Sequence, residues 1–428
     1  MSKFKERESF SSDQWTYYQT HELQSILVHA FDNVPYYHER FTENGLTRSD
    51  LEQIRMTEIL KLPVLPKEDL RRFGVSTLMS KKRSKRGSFY SSSGSTGTPT
   101  RIFFSKETHQ KWSAAFEARI RNWAGVSRLD GRGMIGGRRV IPDGESSGPY
   151  YRYNSIEKQI YFSAYHISSN TAADYAYAML KYKPAYMTGY AMSNYFLARF
   201  FDDNGIEAPT LKAVITSSEK LTSEMRALFQ KIYKCKTYDS YSGVEACGLI
   251  SENEYGQLLV SPDVGIIEIL NEKGEPCKPG EVGECYCTGL LNYDQPLIRY
   301  RIGDKVHLAK DQRTLCGRNM VVIDEIMGRD EDVVRGPDGR EMVRFHGLYI
   351  DIMGLAAGQL IQHEPDSFTI NLQIESGRFN RNVAEKIIYQ RLVSQLGKVK
   401  LKFEYPDRIP LGPNGKFKAV ISELPKPL

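Results

Sequence analysis

The segment from residue 212 to residue 241 constrains the fold most strongly, because its elements follow the order strand, helix, strand. Residues 212–216 form a short apolar run that predicts a buried strand. Met225, Leu228, Phe229 and Ile232 recur with helical spacing, and residues 236–241 predict the next strand. This order favours a parallel sheet with helices packed on its faces. We therefore predict an α/β fold.

Two later regions have a different pattern. Strands are predicted at 265–270 and 283–287, with a turn at 271–274, which indicates an added β-rich subdomain. From residue 326 the chain continues with a glycine-rich hairpin at 335–340, a helix at 383–396 and an alternating strand at 398–405. About 100 residues suffice for a small α+β domain. We predict an N-terminal domain over 1–325, a C-terminal domain over 326–428, and a linker at 328–332.

Near the N-terminus, residues 21–31 predict a helix with one apolar face, formed by Leu23, Ile26, Leu27 and Ala30. Residues 83–100 are rich in serine, glycine and threonine and are predicted to be a loop.

Charge and composition exclude several classes of protein. No stretch approaches the roughly 20 apolar residues of a membrane helix, and the polar start lacks a signal-peptide core. We expect a cytoplasmic protein without a membrane span. The net charge of +6 is small for 428 residues, and no nucleic-acid-binding module is recognisable. The basic run at 81–86 is interpreted as a solvated loop, with the alternative of a patch that steers phosphates.

The strongest chemical signal is the stretch 91–99, Ser-Ser-Ser-Gly-Ser-Thr-Gly-Thr-Pro. Small residues of this kind let backbone N–H groups and hydroxyls approach phosphate oxygens closely. The stretch is not a Walker A loop, which requires Gly-Lys-Ser/Thr. Strand-like residues flank it at Phe89-Tyr90 and at 102–104, which is unusual for a flexible linker.

This stretch resembles the phosphate loop of the adenylate-forming superfamily, which includes acyl-CoA synthetases. Similar motifs follow in the family's order at 241–245 (Tyr-Ser-Gly-Val-Glu), 300–304 (Tyr-Arg-Ile-Gly-Asp), 328–332 (Gly-Arg-Asp-Glu-Asp) and 411–418 (Leu-Gly-Pro-Asn-Gly-Lys-Phe-Lys). Several motifs in one order are far more specific than one. The segments 62–67 (Leu-Pro-Val-Leu-Pro-Lys) and 297–300 (Leu-Ile-Arg-Tyr) resemble the phenylacetate–CoA ligase-like branch, which includes capsule-biosynthesis proteins.

The resemblance implies a role for each motif. The phosphate segment comprises Ser92, Ser93, Gly94, Ser95, Thr96, Gly97 and Thr98. Glu245 would bind magnesium, and Lys416 would be the catalytic lysine. The adenine and the ribose would be bound by Ser218, Glu219, Tyr241, Ser242, Asp304 and Arg329. Glu331 is the implied hinge of a mobile C-terminal domain, although an ordinary linker glutamate explains it equally well.

The implied reaction uses ATP and Mg²⁺ to convert a carboxylic acid, aromatic by resemblance, into an acyl-adenylate with release of pyrophosphate. Coenzyme A then accepts the acyl group. An amine or a carrier-protein thiol is an alternative acceptor, and an inactive nucleotide-binding protein is a more distant alternative. A homodimer is the oligomeric state that the resemblance implies.

The acyl pocket is expected beside the strand ends, where ligands bind in α/β proteins. The candidate residues are Tyr165, His166, Gly189, Tyr190, Ser217 and Gly243. His166 fits either a hydrogen bond to the substrate carboxylate or a structural role, and 136–139 fits either an anion contact or a turn.

The cysteines suggest two possible zinc sites, and we expect neither. Cys285 and Cys287 on one strand face could meet Cys247 or Cys316, but scattered buried thiols are favoured because the chain has no C-x₂-C pair. By the same resemblance, many branch members bind a structural zinc, and the positions here that match its ligands are Asn253, Leu259, Thr314 and Cys316. Only one of these four is a cysteine, so we predict no zinc.

Overall fold

The computed structural model describes residues 1–91, 100–138, 140–141, 147–219, 221–327, 334–338, 341–342, 348–349, 352–374, 379–409 and 419–424, without the side chains of 341, 342 and 356. Several predicted site residues lie outside these ranges. They are Ser92, Ser93, Gly94, Ser95, Thr96, Gly97, Thr98, Arg329, Glu331 and Lys416.

The helices of the described residues are α1 Ser2–Glu6, α2 Ser12–Asn33, α3 Pro35–Glu43, α4 Arg48–Gln53, α5 Lys67–Phe73, α6 Lys106–Phe116, α7 Ala172–Tyr182, α8 Ala191–Asp203, α9 Ser223–Tyr233 and α10 Arg381–Leu396. The strands are β1 Gly87–Ser91, β2 Arg101–Ser105, β3 Arg132–Gly136, β4 Tyr151–Asn154, β5 Gln159–Ser163, β6 Tyr186–Tyr190, β7 Ala213–Ser217, β8 Lys236–Ser242, β9 Leu249–Glu252, β10 Leu258–Val260, β11 Gly265–Leu270, β12 Val282–Gly289, β13 Tyr300–Leu308, β14 Val322–Ile326, β15 Val334–Arg335, β16 Glu341–Met342, β17 Leu355–Glu364, β18 Ser367–Ile374, β19 Lys400–Glu404 and β20 Val420–Ser422.

The described residues divide into two compact units. The first contains those of 1–92, Thr100–Arg128 and 238–328, and the second contains those of Leu129–Thr237 and 329–428. The predicted domain boundary at residue 325 therefore stays a prediction.

The first unit is built on antiparallel strands in the order β11-β12-β13-β14-β10-β9-β8, which confirms the predicted β-rich region. Helix α2 packs against the same apolar core, where the predicted face Leu23, Ile26, Leu27 and Ala30 is fully buried. The helix begins earlier than predicted because the side chains of Ser11 and Gln14 cap its first backbone N–H groups.

The predicted loop at 83–100 was partly wrong. Gly87–Ser91 is a strand that pairs with Arg101–Ser105, and Ser91 lies opposite Arg101. Phe89 packs on Phe103 and Tyr90 packs on Phe104. These aromatic contacts between the two strands stabilise the pairing despite the serine-rich sequence around them. The basic residues 81–86 that precede this strand are exposed along their whole length.

The second unit contains the predicted parallel sheet. Strands β7, β6, β3 and β5 are parallel neighbours in this order, and β4 adds an antiparallel edge. Helices α7, α8 and α9 supply the rest of its core, including Met225 and Phe229 as predicted. The α/β fold is therefore confirmed.

The described C-terminal residues have the predicted α+β composition. Strands β19-β18-β17-β20 form a sheet, and α10 contributes Ile388, Leu392 and Leu396 to the core on it. Helix α10 ends at Leu396, and the next residue, Gly397, has a positive φ that glycine tolerates. Within the described part of the chain, no helix has both the length and the apolar character needed to cross a bilayer.

Candidate active site

Glu245 follows the end of β8 and is 6% exposed. Its Oε1 accepts hydrogen bonds from Thr100 Oγ1 at 3.3 Å and from Tyr300 Oη at 3.1 Å. Burial and the charge of Glu245 raise the pKa of Tyr300 far above its usual value, so the phenol is a donor at physiological pH. One oxygen of this carboxylate is thus held by two hydroxyls from distant parts of the sequence.

The other oxygen of Glu245 lies against Gly243. A Cβ atom at Gly243 would stand 2.4 Å from Glu245 Oε2, so a side chain at this position would displace the carboxylate oxygen. Among the described residues, Oε2 receives no hydrogen bond. A carboxylate oxygen of this kind suits Mg²⁺, which proteins commonly hold through one or two carboxylates together with substrate phosphates. No group of three metal-ligating side chains occurs within the described residues, so the substrate phosphates would have to supply further ligands.

Tyr241 and Asp304 form a second pair of predicted residues. Tyr241 Oη donates a hydrogen bond to Asp304 Oδ2 at 2.8 Å. Burial, and secondarily the charge of Asp304, raise the pKa of Tyr241 well above its usual value of 10, so this hydroxyl stays protonated. The hydrogen bond holds the end of the Tyr241 side chain in place, and a flat aromatic ring held in place is what stacking on a base needs.

These five residues, Thr100, Tyr241, Glu245, Tyr300 and Asp304, are called the nucleotide group below. The motif at the end of β8 and the motif at the start of β13 supply four of them. Sequence reasoning missed Thr100 and Tyr300 as site residues. The available signals were Thr100, which follows Pro99 where many phosphate loops of the adenylate-forming superfamily have a lysine, and the position of Tyr300 within the aspartate motif.

In the second unit, predicted acyl-pocket residues meet at Gly137. Tyr165 Oη donates to the carbonyl of Gly137 at 3.0 Å. A Cβ atom at Gly137 would stand 2.7 Å from Tyr190 Oη and 3.6 Å from Tyr165 Oη, so both tyrosine hydroxyls lie close to this glycine. Sequence reasoning left 136–139 between an anion contact and a turn, because a glycine carries no chemical signal of its own.

The strand ends of the parallel sheet bring further predicted residues together. Tyr190 and Ser217 are register partners, and Gly189 lies opposite both Ile135 and Thr216. Gly189 has φ of +125°, and a Cβ atom there would stand 1.8 Å from the carbonyl oxygen of Ile135. Only glycine permits this approach of β6 to β3. Gly137, Tyr165, Gly189, Tyr190 and Ser217 are called the acyl group below.

The residues after β7 have defined structural partners. Ser218 has a left-handed backbone with φ of +71°, a conformation that non-glycine residues adopt at some cost. Glu219 Oε2 accepts a hydrogen bond from the backbone N–H of Met192 at 2.8 Å, in the first turn of α8, where a negative charge is favourable. The contacts of Ser218 and Glu219 with adenine and ribose stay predictions. The same holds for Ser242, which is half-buried at the end of β8.

His166 is held by its neighbours. Its Nδ1 lies 2.7 Å from Ser163 Oγ, its ring stacks on Tyr150 at 5.3 Å, and it is 8% exposed. This environment favours the structural role. Gly243 lies in the first unit against Glu245, whereas the other predicted acyl-pocket residues lie in the second.

A surface pocket of about 460 Å³ lies in the second unit, lined by Leu180, Pro184, Pro209 and Lys212 among others. It is next to the starts of β6 and β7, at the opposite end of these strands from Tyr190 and Ser217. The pocket is therefore separate from the acyl group.

The cysteines fall into different clusters. Cys247, Cys285 and Cys287 are buried in the core of the first unit, with Cys287 hydrogen-bonded to Cys247. Cys316 packs in another cluster with Leu259 and accepts a hydrogen bond from Asn253 Nδ2 at 3.4 Å. Cys285 and Cys287 therefore meet Cys247 and not Cys316, and the absence of zinc stays a prediction.

Comparison with known proteins supplies the context for this geometry. Residues 341–423 match the family model of the CapK C-terminal domain. Protein CapK of Staphylococcus aureus is 26% identical over 95% of this chain and 89% of its own length. Phenylacetate-coenzyme A ligase of Escherichia coli is 25% identical over 80% of this chain and 79% of its own.

The chain is similar to CapK and to the phenylacetate–coenzyme A ligases. The corresponding enzyme of Pseudomonas putida is 26% identical over 77% of this chain and 74% of its own length. A structure of 2-hydroxyisobutyryl-CoA ligase, in complex with 2-HIB-AMP and CoA, matches 98% of this chain and 91% of its own, with 18% identity and a TM-score of 0.64. At that identity the structural match supports the fold, and the fold of an adenylate-forming ligase is confirmed.

Proposed function

We propose that this chain activates a carboxylic acid with ATP to form an acyl-adenylate, releases pyrophosphate, and transfers the acyl group to coenzyme A. The observation that carries the proposal is the nucleotide group, in which a buried glutamate and a tyrosine–aspartate pair occupy the positions that the family motifs specify. The relatives support an AMP-forming acid–coenzyme A ligase.

The first half-reaction brings together two anions, the acid and the triphosphate. Like charges 4 Å apart repel by about 4 kcal/mol at an effective dielectric constant of 20. Magnesium, when bound, would neutralise part of the triphosphate charge. The contribution of the chain would be Glu245 Oε2 as a ligand for that ion and the hydroxyls of Thr100 and Tyr300 as its supports.

The nucleotide would be placed by the same group. Tyr241 would present its ring to the adenine, and Asp304 would accept hydrogen bonds from the ribose hydroxyls through carboxylate lone pairs that Tyr241 does not occupy. Ser218, Glu219, Ser242 and Arg329 would complete these contacts by resemblance.

Three elements of the proposal rest on resemblance alone. Ser92 to Thr98 would hold the pyrophosphate, Lys416 would stabilise the charge that develops on the reacting oxygens, and Glu331 would be the pivot of a mobile domain from 326 to 428. A stabilising group of this kind is worth about 10²–10³ in rate.

The acid is proposed to be aromatic. The acyl group supports this, because it brings two aromatic side chains, Tyr165 and Tyr190, to a glycine that has no side chain of its own. Aromatic rings pack favourably against one another in offset or edge-to-face arrangements.

An amine or a carrier-protein thiol is the second candidate acceptor. The match to CapK extends over 95% of this chain and includes a CapK C-terminal domain, whereas the match to the Pseudomonas putida phenylacetate–CoA ligase covers 77%. The adenylation residues do not depend on the acceptor. A cytoplasmic location and a homodimer are further proposals that rest on the same resemblance.

The test is a screen for AMP and pyrophosphate release over aryl, aliphatic and amino acids, with and without coenzyme A. We expect release that requires one class of acid, together with a thioester when coenzyme A is present. Acid-dependent release without any thioester would favour the amine or carrier thiol. ATP binding without AMP release for any acid would favour an inactive nucleotide-binding protein.

A further inference from the structure

Two sequence segments that served only to indicate the branch meet in the structure. The backbone N–H of Leu65 donates to the carbonyl of Arg299 at 3.1 Å, and that of Arg301 donates to the carbonyl of Leu65 at 3.0 Å. Leu65 and Tyr300 form an isolated parallel bridge. The segment 62–67 is therefore fastened to the start of β13, on both sides of Tyr300.

The side chain of Arg299 is buried and hydrogen-bonded to a carboxylate and to two backbone carbonyls. The residue is 5% exposed and has a left-handed backbone with φ of +46°. Its Nε lies 3.0 Å from both carboxylate oxygens of Glu268, and its Nη1 donates to the carbonyls of Leu62 at 2.7 Å and Leu60 at 3.2 Å. Strained buried residues of this kind persist only where the surroundings over-determine them, and they cluster at functional sites.

This arrangement positions the Tyr300 hydroxyl beside the carboxylate of Glu245. Tyr300 is fully buried, and its Oη donates to Glu245 Oε1 at 3.1 Å. With its backbone fixed by Leu65 and Arg299, the ring has little freedom to move away from the carboxylate. A carboxylate whose Oε1 is fixed by Tyr300 and Thr100 has a defined plane, which determines where Oε2 points.

We propose that Tyr300 is a positioning residue that orients Glu245 for magnesium-bound ATP, and that Arg299 with residues 60–65 anchors Tyr300 for this purpose. The inference rests on the proposed function, since it concerns the same glutamate. To the support of Glu245 by the Tyr300 hydroxyl it adds a consequence for magnesium binding and a role for Arg299.

The test compares Tyr300→Phe with Tyr36→Phe. Tyr36 is a matched control, because it is also buried in the first unit and its hydroxyl also donates to a carboxylate, that of Asp69 at 2.5 Å. Calorimetry would give the Mg²⁺ concentration for half-maximal ATP binding, in the absence of acid and therefore of turnover. Loss of a partner that orients a metal ligand costs about 10–100-fold in metal affinity, so we expect a rise of about 10-fold for Tyr300→Phe. Tyr36→Phe should match the wild type, and ATP binding in EDTA should be unchanged in all three proteins.

A double-mutant cycle separates positioning from a general structural effect. If Tyr300 acts through Glu245, Tyr300→Phe should change the Mg²⁺ requirement little further in a Glu245→Gln background. An equal shift in both backgrounds would overturn the inference. Arg299→Lys is a second variant in case Tyr300→Phe does not fold. It keeps the charge beside Glu268 but loses the fork that reaches two carbonyls, and a smaller shift in the same direction is expected.

The two proposals fail differently. Wild-type protein that binds ATP with no Mg²⁺ dependence would overturn both the proposed function and this inference. Wild-type protein with a clear Mg²⁺ dependence, unchanged in Tyr300→Phe and in Arg299→Lys, would overturn the inference alone.

Discussion

The nucleotide group and the acyl group differ in what holds their residues in place. In the nucleotide group, side chains hold one another through hydrogen bonds from hydroxyls to carboxylates, at Glu245 and at Asp304. In the acyl group, glycines hold the arrangement by allowing close approach, at Gly189 against Ile135 and at Gly137 against Tyr190. The first group depends on charge and hydrogen bonding, and the second depends on shape.

The difference follows from what each group is proposed to bind. ATP is the same in every reaction of this class, so its site requires particular donors and acceptors at fixed positions. The acid varies between relatives, and many combinations of ring and glycine make a pocket of a given shape. Substitutions in the two groups should therefore have different signatures, the first in catalysis with ATP and the second in stability or in the choice of acid.

The largest effect is expected for Glu245→Gln, which removes the charge proposed to hold magnesium. Acid-dependent release of pyrophosphate should fall by about 10²–10³-fold, or about 2.7–4 kcal/mol of transition-state stabilisation, with the folded structure retained. Glu284→Gln is the control, because that carboxylate pairs with the exposed Arg301. A rate for Glu245→Gln close to that of the control would place the magnesium ligand elsewhere.

The next effect is expected in stability. In Gly189→Ala the added Cβ would meet the Ile135 carbonyl at 1.8 Å, and we expect a loss of about 3 kcal/mol in the free energy of unfolding. Gly205→Ala is the matched control, since Gly205 also has a positive φ but open space around its Cβ position. It should cost only about 1 kcal/mol. Equal losses in denaturant unfolding would mean that close approach is not what Gly189 provides.

A smaller and more selective effect is expected for Gly137→Ala. The Cβ atom would displace the Tyr190 hydroxyl, now 2.7 Å from that position. The KM for the acid should change by about 10-fold, equivalent to about 1.4 kcal/mol, while the KM for ATP stays the same. Gly131→Ala serves as the control, because its Cβ position has no atom nearer than 3.7 Å. A change in the KM for ATP alone would remove Gly137 from the acyl group.

The smallest effect is expected for Tyr241→Phe, which keeps the ring and removes the donor to Asp304. ATP affinity should fall by about 3-fold, the size of one net hydrogen bond of about 0.6 kcal/mol. Tyr241→Leu, which also removes the aromatic face, should lower it further. Calorimetry that gives the same affinity for both variants would show that the ring does not stack on the base.

Regular elements were predictable from the sequence wherever apolar spacing was clear. Examples are β7, α9 and β11, and α10 with its glycine end. The strand-like residues Phe89 and Tyr90 were recognised, but the loop was predicted to begin at residue 83, because local composition does not reveal pairing with a strand ten or more residues later. The early start of α2 depends on a capping pair, Ser11 and Gln14, outside its apolar pattern.

The candidate site was predictable where a residue type defines a motif, as for Glu245, Tyr241 and Asp304. Thr100, Tyr300 and Gly137 were not, for two physical reasons. The motifs around Thr100 and Tyr300 mark these residues, but a hydrogen bond to a carboxylate 145 residues away from Thr100 is visible only in the fold. A glycine contributes by having no side chain, so that another atom can come close to its backbone. The identity of that atom follows only from the three-dimensional structure.

The most direct test of the central claim is the exchange of labelled pyrophosphate into ATP, measured with each acid of a broad panel and without acid. Formation of an acyl-adenylate is reversible, so the account predicts exchange that requires both Mg²⁺ and one class of carboxylic acid and that is lost in Glu245→Gln. Protein that binds ATP with Mg²⁺ but catalyses no exchange with any acid would contradict it.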